Sequence, residues 1–167
     1  YYLNWSSLIN DPRFQKEIKT NNLEVCFYLH PKLNRFRDSF KKCANVKLLN
    51  SKSGDSVQEH LKRSALLITD FSSVFFDFAY MRKPSLYFQF DENRYFGNHY
   101  IKAYFDYRLN GFGPVATEKE ELVLNFMEIV NSGLTLQDVY LKRIEHFFTL
   151  SDDKNCERIY KAIISIL

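Results

Sequence analysis

Short apolar runs, each bounded by stretches of helical periodicity, constrain the fold of this chain more than any other feature. They occupy residues 23–30 (LEVCFYLH), 46–49 (VKLL), 65–70 (ALLITD) and 85–91 (SLYFQFD). Apolar runs of this length are typical of buried strands. Strands that alternate with helices form a parallel sheet that carries helices on both faces. The sequence therefore predicts an α/β fold with a central parallel sheet.

The segments around these runs predict helices. Helices are expected at Leu8–Thr20, Lys32–Cys43, Ser56–Ser64, Ser72–Lys83, Glu118–Asn131, Leu136–Leu150 and Asn155–Leu167. Pro84 stops the fourth helix before the next strand begins. Glu92–Asn110 has no periodicity and predicts a loop of the length that proteins keep for function. Gly113–Thr117 predicts a last short strand.

Length and composition fit one compact domain. The chain has 167 residues, 46% of them hydrophobic, with only 5 Gly and 4 Pro, which excludes disordered, collagen-like and low-complexity proteins. Its net charge is +3, from 23 basic and 20 acidic residues. The basic residues are dispersed, unlike those of a nucleic-acid-binding tail. We predict a single domain, residues 1–167, with no nucleic-acid partner and a surface compatible with a phosphate-rich ligand.

The cysteines suggest neither a disulfide framework nor a zinc site. Cys26, Cys43 and Cys156 are odd in number and contain no CxxC pair. No acidic pair has the spacing of a dedicated metal site. No segment approaches the roughly 20 apolar residues that cross a bilayer, and the amino terminus lacks the layout of a signal peptide. We expect no metal, no cofactor and a cytoplasmic location.

Polar residues that follow the predicted strands are candidates for a binding site, because open α/β sheets bind ligands beyond the carboxyl ends of their strands. They are His30 and the segments 70–73 (DFSS) and 89–91 (QFD). Ser72 and Ser73 fall where a helix begins, so their hydroxyls and the first free N–H groups could hold a phosphate. Serine is also a preferred N-cap residue without any ligand. Both interpretations stay open.

His30 and Asp77 each allow two interpretations. Pro31 favours an extended His30, whose imidazole could bond to a phosphate or shuttle a proton, or could simply pack. Asp77 lies in an otherwise apolar helix, where a carboxylate is costly unless it faces a cleft or has a partner. A ribose diol would serve as that partner, and so would a buried Lys or Arg.

With these residues placed, the order of four motifs resembles the CDP-glycerol glycerophosphotransferase family, the teichoic-acid polymerases and related capsule enzymes. The motifs are HP (30–31), LLITDFSSVFFDFAYMRKP (66–84), YFDYRLNGFGPV (104–115) and NCERI (155–159). The resemblance extends from Trp5 to Ile166. Phe71 stands where the family more usually has Tyr, and Cys156 where it usually has Ser. The chain is therefore similar to a divergent member of the family.

The resemblance implies a Rossmann-like three-layer domain, the carboxyl-terminal half of a GT-B arrangement that binds the donor nucleotide. The acceptor domain would lie outside this chain. His30 is implied to act in catalysis beside the donor pyrophosphate. Ser72 and Ser73 are implied to contact the donor phosphates.

The same resemblance assigns four further residues to substrate binding. Asp70 belongs to the block that contains the two serines. Asp77 is similar to the acidic position with which many GT-B enzymes hold the nucleotide ribose. Glu157 and Arg158 match the Asn-Ser-Glu-Arg motif near the end of the family, where Arg158 could reach a phosphate from the last helix.

The implied reaction is transfer of glycerol phosphate, or a related alditol phosphate, from CDP-glycerol to a teichoic-acid-like or capsular polymer. An acceptor hydroxyl attacks in line the phosphorus that bears the alditol, and CMP leaves. Positioning and charge neutralisation supply most of the catalysis. The implied partners are the CDP-alditol, an acceptor polymer on a lipid carrier, and an amino-terminal domain of the same protein at the inner face of the bacterial plasma membrane. Alone, this domain is expected to bind donor without turnover.

Two other functions stay open at this point. A nucleotide-sugar glycosyltransferase of the same GT-B design would prefer a UDP- or GDP-sugar over any CDP-alditol. A non-catalytic nucleotide-binding module would use Ser72 only as a cap and His30 only for packing, so that substitutions at these residues would leave ligand binding unchanged.

Overall fold

The structure is a computed structural model that describes residues 1–29, 31–40, 45–49, 56–98 and 104–166. Within these ranges the strands are β1 (Val25–Tyr28), β2 (Val46–Leu49), β3 (Leu67–Thr69), β4 (Ser85–Phe88) and β5 (Val115–Ala116). The helices are α1 (Tyr2–Ile9), α2 (Pro12–Thr20), α3 (Val57–Arg63), α4 (Val74–Tyr80), α5 (Glu92–Asn98), α6 (Tyr107–Asn110), α7 (Lys119–Asn131), α8 (Asp138–Phe147) and α9 (Asn155–Ile164). Every predicted strand is present, which confirms the α/β class.

All strand pairs are parallel, as predicted. β1 pairs with β2, with Val25 opposite Val46. β4 lies between β3 and β5, with Leu86 opposite Ile68 on one side and Phe88 opposite Ala116 on the other. Among the described residues the two ladders are separate, one of two strands and one of three.

β4 runs through the middle of the core and contacts helices on both of its faces. Leu86 and Phe88 belong to a buried cluster that includes Trp5 of α1 and residues of α2 and α7. Tyr87 belongs to a second cluster with Phe75 of α4 and a residue of α8. Successive side chains of a strand point to opposite faces. The helices therefore form layers on the two sides of the sheet, in agreement with the three-layer prediction.

Two helices, α1 and α2, replace the single helix predicted at Leu8–Thr20. The break falls at Asp11, whose carboxylate accepts a hydrogen bond from the backbone N–H of Arg13 at 2.9 Å and so caps α2. Pro12 takes the first helical position, where no N–H is required. Asp11 is 4% exposed and forms ion pairs with Arg13 at 3.0 Å and Lys119 at 3.1 Å. These groups join the start of α2 to the start of α7.

The segment predicted as an amphipathic α-helix at Lys32–Cys43 is instead a 3-10 helix over Pro31–Phe40, and residues 41–44 lie outside the described ranges. A 3-10 helix has three residues per turn, so side chains three positions apart lie above one another. Leu33 and Phe36 have this spacing, whereas Phe40, which is buried at the end of the segment, follows Phe36 by four positions. The apolar pattern that indicated an α-helix therefore fits the 3-10 helix in its first part.

Part of the predicted loop Glu92–Asn110 is helical. It contains α5 and α6, of seven and four residues, while residues 99–103 lie outside the described part of the chain. The carboxylate of Asp106 caps α6 by accepting hydrogen bonds from the N–H groups of Arg108 at 2.8 Å and Leu109 at 3.0 Å. Helices of one or two turns are too short to show a periodicity, which is why the sequence predicted a loop.

Close backbone contacts explain two glycines of the YFDYRLNGFGPV motif. A Cβ at Gly113 would lie 1.8 Å from the carbonyl oxygen of Ser85, the first residue of β4. A Cβ at Gly111 would lie 2.0 Å from the carbonyl oxygen of Tyr107. Both distances are far below van der Waals contact. The motif therefore requires glycine at these positions for the chain to reach β5.

The lysine of the Lys-Pro pair that follows α4 has a structural role. The Lys83 Nζ donates hydrogen bonds to the backbone carbonyl oxygens of Leu61 at 3.3 Å and Ser64 at 2.8 Å. These are groups at the carboxyl end of α3, where a helix favours a positive charge. Lys83 thus links α3 to the turn between α4 and β4.

Candidate functional site

The candidate site lies where β3 ends and α4 begins. Asp70 follows β3 directly and is half-buried. Burial raises the pKa of the Asp70 carboxyl, and the charge of Asp91, which follows β4, raises it further. The backbone N–H groups of Asp70, Phe71 and Ser72 act on this pKa in the opposite direction and lower it. Asp70 therefore lies at the turn before α4 and near Asp91, the acidic residue that follows the neighbouring strand.

The hydroxyls of Ser72 and Ser73 have no hydrogen-bond partner in the described part of the chain. Ser73 is the N-cap residue of α4, but its side chain makes no capping bond and its backbone is helical, with φ −65° and ψ −10°. A serine that serves only as a cap would accept a bond from an N–H of the first turn. Ser73 is exposed and Ser72 is half-exposed. Both hydroxyls are therefore available to a ligand.

Asp77 lies one turn beyond Ser73 on α4, about 6 Å along the helix axis. It is exposed, so its carboxylate does not carry the free-energy cost of burying a charge among apolar residues. Within the described ranges it forms no ion pair, so the structure shows no Lys or Arg that neutralises it. Its carboxylate oxygens are free to accept hydrogen bonds from a diol.

An aromatic cluster borders the same turn. The ring of Phe71 stacks on that of Tyr95 with 3.8 Å between centroids and 6° between planes. Phe96 and Tyr107 pack edge-on against Phe71 at 5.7 Å and 5.9 Å. Burial, with smaller effects from Tyr95 and Asp70, raises the pKa of Tyr107 to about 12. Sequence reasoning missed this cluster, although the density of aromatic residues between positions 95 and 107 was a signal for it.

Gln89 follows β4 directly and is the first residue of the segment 89–91, which was predicted as a candidate for the binding site. It is 1% exposed, and neither its amide nitrogen nor its amide oxygen has a hydrogen-bond partner in the described part of the chain. An unsatisfied buried amide costs free energy. Gln89 marks this end of β4 as a place where a polar partner would stabilise the fold.

The structure does not bring Arg158 and Glu157 to the start of α4. The Arg158 guanidinium donates to the Asp152 carboxylate at 2.8 Å and 3.1 Å and to the side chain of Asn155. Glu157 pairs with Lys161 on the exposed side of α9. Tyr80, the last residue of α4, donates from its hydroxyl to the Asp152 carbonyl at 3.1 Å. The two predicted ligands thus lie near the far end of α4, and their role stays a prediction.

Two other predicted features can be placed only in part. His30 lies outside the described residues, so its catalytic role stays a prediction. Cys26 and Cys156 are free and exposed, while Cys43 lies outside the described ranges. Among the described residues, no group of three or more His, Cys, Asp or Glu side chains could hold a metal ion.

The family model of the CDP-glycerol:poly(glycerophosphate) glycerophosphotransferases matches residues 2–165. The chain belongs to this family. A minor teichoic acid biosynthesis protein of Bacillus subtilis (strain 168), GgaB, is 35% identical over 166 residues, which cover 99% of this chain and 18% of that protein. The teichoic acid poly(glycerol phosphate) polymerase of the same strain is 29% identical over 109 residues, 65% of this chain and 14% of its own length. The chain thus spans a small part of each relative.

Solved structures confirm the fold of the family. The wall teichoic acid polymerase TagF superposes with a TM-score of 0.67 at 22% identity, covering 95% of this chain and 37% of TagF. A TagF variant studied with CDPG superposes with a TM-score of 0.61 at 21% identity, over 97% of this chain and 39% of that one. In the described part of this chain, no helix has the length and apolar character needed to cross a membrane.

Proposed function

We propose that this chain holds the CDP-glycerol donor of a transferase that moves glycerol phosphate, or a related alditol phosphate, onto a teichoic-acid-like or capsular polymer. Family membership supports the reaction class, and the related proteins carry teichoic acid biosynthesis and polymerase names. The observation that carries the proposal is that the hydroxyls of Ser72 and Ser73 have no hydrogen-bond partner among the described residues. They lie at the carboxyl end of a strand in a parallel sheet, where such folds bind nucleotides.

The proposed chemistry is a phosphoryl transfer with CMP as the leaving group. An acceptor hydroxyl oxygen attacks the phosphorus that bears the glycerol and forms a phosphodiester, and the bond from that phosphorus to the CMP oxygen breaks. The hydroxyl proton passes to a base, which we assign to the acceptor-binding part of the parent protein. Ser72 and Ser73 donate hydrogen bonds to donor phosphate oxygens, and His30 stabilises charge on the pyrophosphate.

Asp70 and Asp77 have different parts in this proposal. Asp70 directly precedes the turn that contains the serines, and backbone N–H groups of that turn favour its charged form, so in this proposal it positions the serines beside the donor. Asp77, exposed one turn further along α4, accepts hydrogen bonds from the ribose hydroxyls. In this proposal, Arg158 binds a phosphate only after its guanidinium leaves Asp152. Glu157 is the neighbouring residue on α9, so it reaches the substrate only when Arg158 does.

The proposal also includes a part of the parent protein that lies outside this chain. A second domain would bind the acceptor polymer on its lipid carrier, and residues 1–167 would form the single donor domain of a GT-B enzyme. Such an enzyme would work in the cytoplasm at the inner face of the bacterial plasma membrane, where its lipid-linked acceptor lies. The isolated donor domain would bind CDP-glycerol without releasing CMP.

Replacing both serines should weaken donor binding without unfolding the protein. We expect Ser72→Ala/Ser73→Ala to raise the Kd for CDP-glycerol about tenfold or more, because two hydrogen bonds to a charged phosphate are lost. The Kd is measured by titration calorimetry, and the thermal unfolding of the variant is compared with that of the unchanged protein.

Ser165→Ala is the matched control, because Ser165 is exposed after α9 and, within the described part of the chain, its hydroxyl bonds only to the Ala162 carbonyl oxygen. We expect it to leave the Kd unchanged. An unchanged Kd in the folded double variant would contradict the assignment of the serines and would favour the non-catalytic module.

A further inference from the structure

The side-chain amide of Gln89 points to the face of the sheet that α4 covers. The Gln89 N–H donates to the Ala116 carbonyl oxygen at 2.8 Å, so the extended backbone of β4 continues to this residue. The neighbouring rings of Phe88 and Phe90 both contact Trp5 of α1 on the opposite face. Successive side chains of a strand point to opposite faces. The amide, 1% exposed and without a partner among the described residues, therefore lies on the α4 side.

Tyr107 of the YFDYRLNGFGPV motif is held over the same face by aromatic packing. Its ring lies 5.1 Å from that of Tyr87, 5.4 Å from that of Phe75 and 5.9 Å from that of Phe71. Tyr87 precedes Gln89 by two positions, which is about 7 Å along a strand. Tyr107 therefore lies beside the strand end at which the Gln89 amide is buried.

The Tyr107 hydroxyl forms no hydrogen bond within the part of the chain that the structure describes. Burial, with smaller effects from Tyr95 and Asp70, raises the pKa of this phenol to about 12. The hydroxyl therefore keeps its proton at neutral pH and lies within electrostatic reach of Asp70, which directly follows β3. Because β3 pairs with β4, the hydroxyl and the Gln89 amide lie at the same carboxyl edge of the sheet.

The carboxylates at this edge favour an uncharged ligand. Asp70 follows β3 and Asp91 follows β4, and burial and the charge of Asp91 both raise the pKa of the Asp70 carboxyl. Within the described ranges, neither carboxylate forms an ion pair with a basic side chain. Their charges would repel a phosphate, whereas hydroxyl groups can donate to a carboxylate and bond to an amide and a phenol. A polyol therefore fits this edge better than an anion does.

The order of groups along the donor brings the alditol to this edge. In the proposed function, Ser72 and Ser73 bind the phosphates and Asp77 binds the ribose. The diphosphate joins the ribose to the alditol, so the alditol extends from the serines in the direction away from Asp77. Phe71 precedes the serines and packs edge-on against the Tyr107 ring at 5.9 Å. The Tyr107 hydroxyl therefore lies on the alditol side of the phosphates.

We propose that the Tyr107 hydroxyl and the Gln89 side-chain amide bind the hydroxyl groups of the alditol that the donor carries. The phenol donates one hydrogen bond, and the amide both donates and accepts. A buried amide without a partner costs free energy in the donor-free protein, and the alditol removes that cost when it binds. This assignment, which rests on the proposed function, adds to it the residues that select the transferred group.

Two CDP diesters measure the contribution of the alditol hydroxyls directly. The methyl ester on the terminal phosphate of CDP has the nucleotide and the diphosphate charge of CDP-glycerol but lacks the alditol hydroxyls. Titration calorimetry of the parent protein gives the ratio of the Kd for the methyl ester to the Kd for CDP-glycerol. We expect a ratio of about ten or more in the unchanged protein, and a ratio at least about threefold lower in Tyr107→Phe and in Gln89→Met.

Thermal unfolding of the donor-free protein separates this role from a structural one. Tyr107→Phe and Gln89→Met nearly keep the size of the side chain and remove only polar groups that have no partner among the described residues, so the Tm should stay the same or rise. Tyr87→Phe is the matched control, because the Tyr87 hydroxyl accepts a hydrogen bond from the Phe112 N–H at 3.2 Å. We expect the control to lower the Tm and to leave the Kd ratio unchanged.

An unchanged Kd ratio in the two folded variants would overturn the inference. So would a ratio near one in an unchanged protein that binds both CDP compounds, and in either case the proposed function would stand. Failure of the unchanged protein to bind either compound would instead contradict the proposed function, and with it this inference. Should Gln89→Met fail to fold, Tyr107→Phe alone decides, because it keeps the ring that packs against α4.

Discussion

Gly113→Ala should destabilise the protein by about 3 kcal/mol or more. The added Cβ would lie 1.8 Å from the carbonyl oxygen of Ser85, and the atom that it meets belongs to the backbone of a fully buried strand. Neither side can move without breaking the pairing of β4 with β5, in which the Tyr87 N–H donates to the Pro114 carbonyl oxygen at 3.0 Å. The loss is measured by urea unfolding.

Gly97→Ala is the matched control for this substitution. Gly97 lies in α5, and apart from its chain neighbours and the backbone of its own helix, no atom of the described residues lies within 4 Å of the position that its Cβ would take. Alanine favours a helix over glycine by up to about 1 kcal/mol. We expect this variant to be as stable as the unchanged protein or slightly more so. Similar stabilities for the two alanine variants would show that β5 does not approach β4 as closely as the structure has it.

Asp11→Ala should cost about 2 kcal/mol of folding free energy. The substitution removes the cap of α2 and leaves the cationic groups of Arg13 and Lys119 without their shared carboxylate. Glu120→Ala is the control, because the Glu120 side chain is 64% exposed and lies further from the same two cations, 4.0 Å from Arg13 and 3.5 Å from Lys119. We expect the control to cost little. Equal losses in the two variants would contradict a special role for Asp11.

The contribution of Asp11 should also depend on pH. The hydrogen bonds from Arg13, followed in importance by the hydrogen bond from Lys119, hold the pKa of the folded carboxyl below its ordinary value. A group whose pKa is lowered on folding stabilises the protein above its unfolded pKa of about 4 and loses that contribution as the pH falls. The unchanged protein should therefore lose more stability than Asp11→Asn between about pH 4 and pH 2.

The strands were predictable because each is a short apolar run. Val46–Leu49 is present with the predicted bounds. The helix boundaries depended on capping residues, which cannot be identified from the spacing of apolar residues. The break at Asp11 and the 3-10 geometry of Pro31–Phe40 are the two cases in which local hydrogen bonding and turn geometry decided the outcome.

Part of the candidate site was also predictable, because it follows one of the apolar runs that predicted the strands. Asp70, Ser72 and Ser73 follow a strand and precede a helix, so their position at the carboxyl edge was readable from sequence order. The stacking of Tyr95 on Phe71 was not, because it joins α5 to the turn after β3, and the relative position of these segments depends on tertiary packing. The hydrogen bond from Arg158 to Asp152 was not predictable for a different reason, because a guanidinium can bind either a phosphate or a carboxylate.

The central claim is that this domain holds a CDP-alditol donor, and donor selectivity tests it most directly. Calorimetric titration of the parent protein with CDP-glycerol, CDP-ribitol, CMP and UDP-glucose compares the competing donor classes. We predict that a CDP-alditol binds at least about tenfold more tightly than UDP-glucose, a difference of about 1.4 kcal/mol. Equal or tighter binding of UDP-glucose, or no binding of any CDP compound to the folded protein, would contradict it.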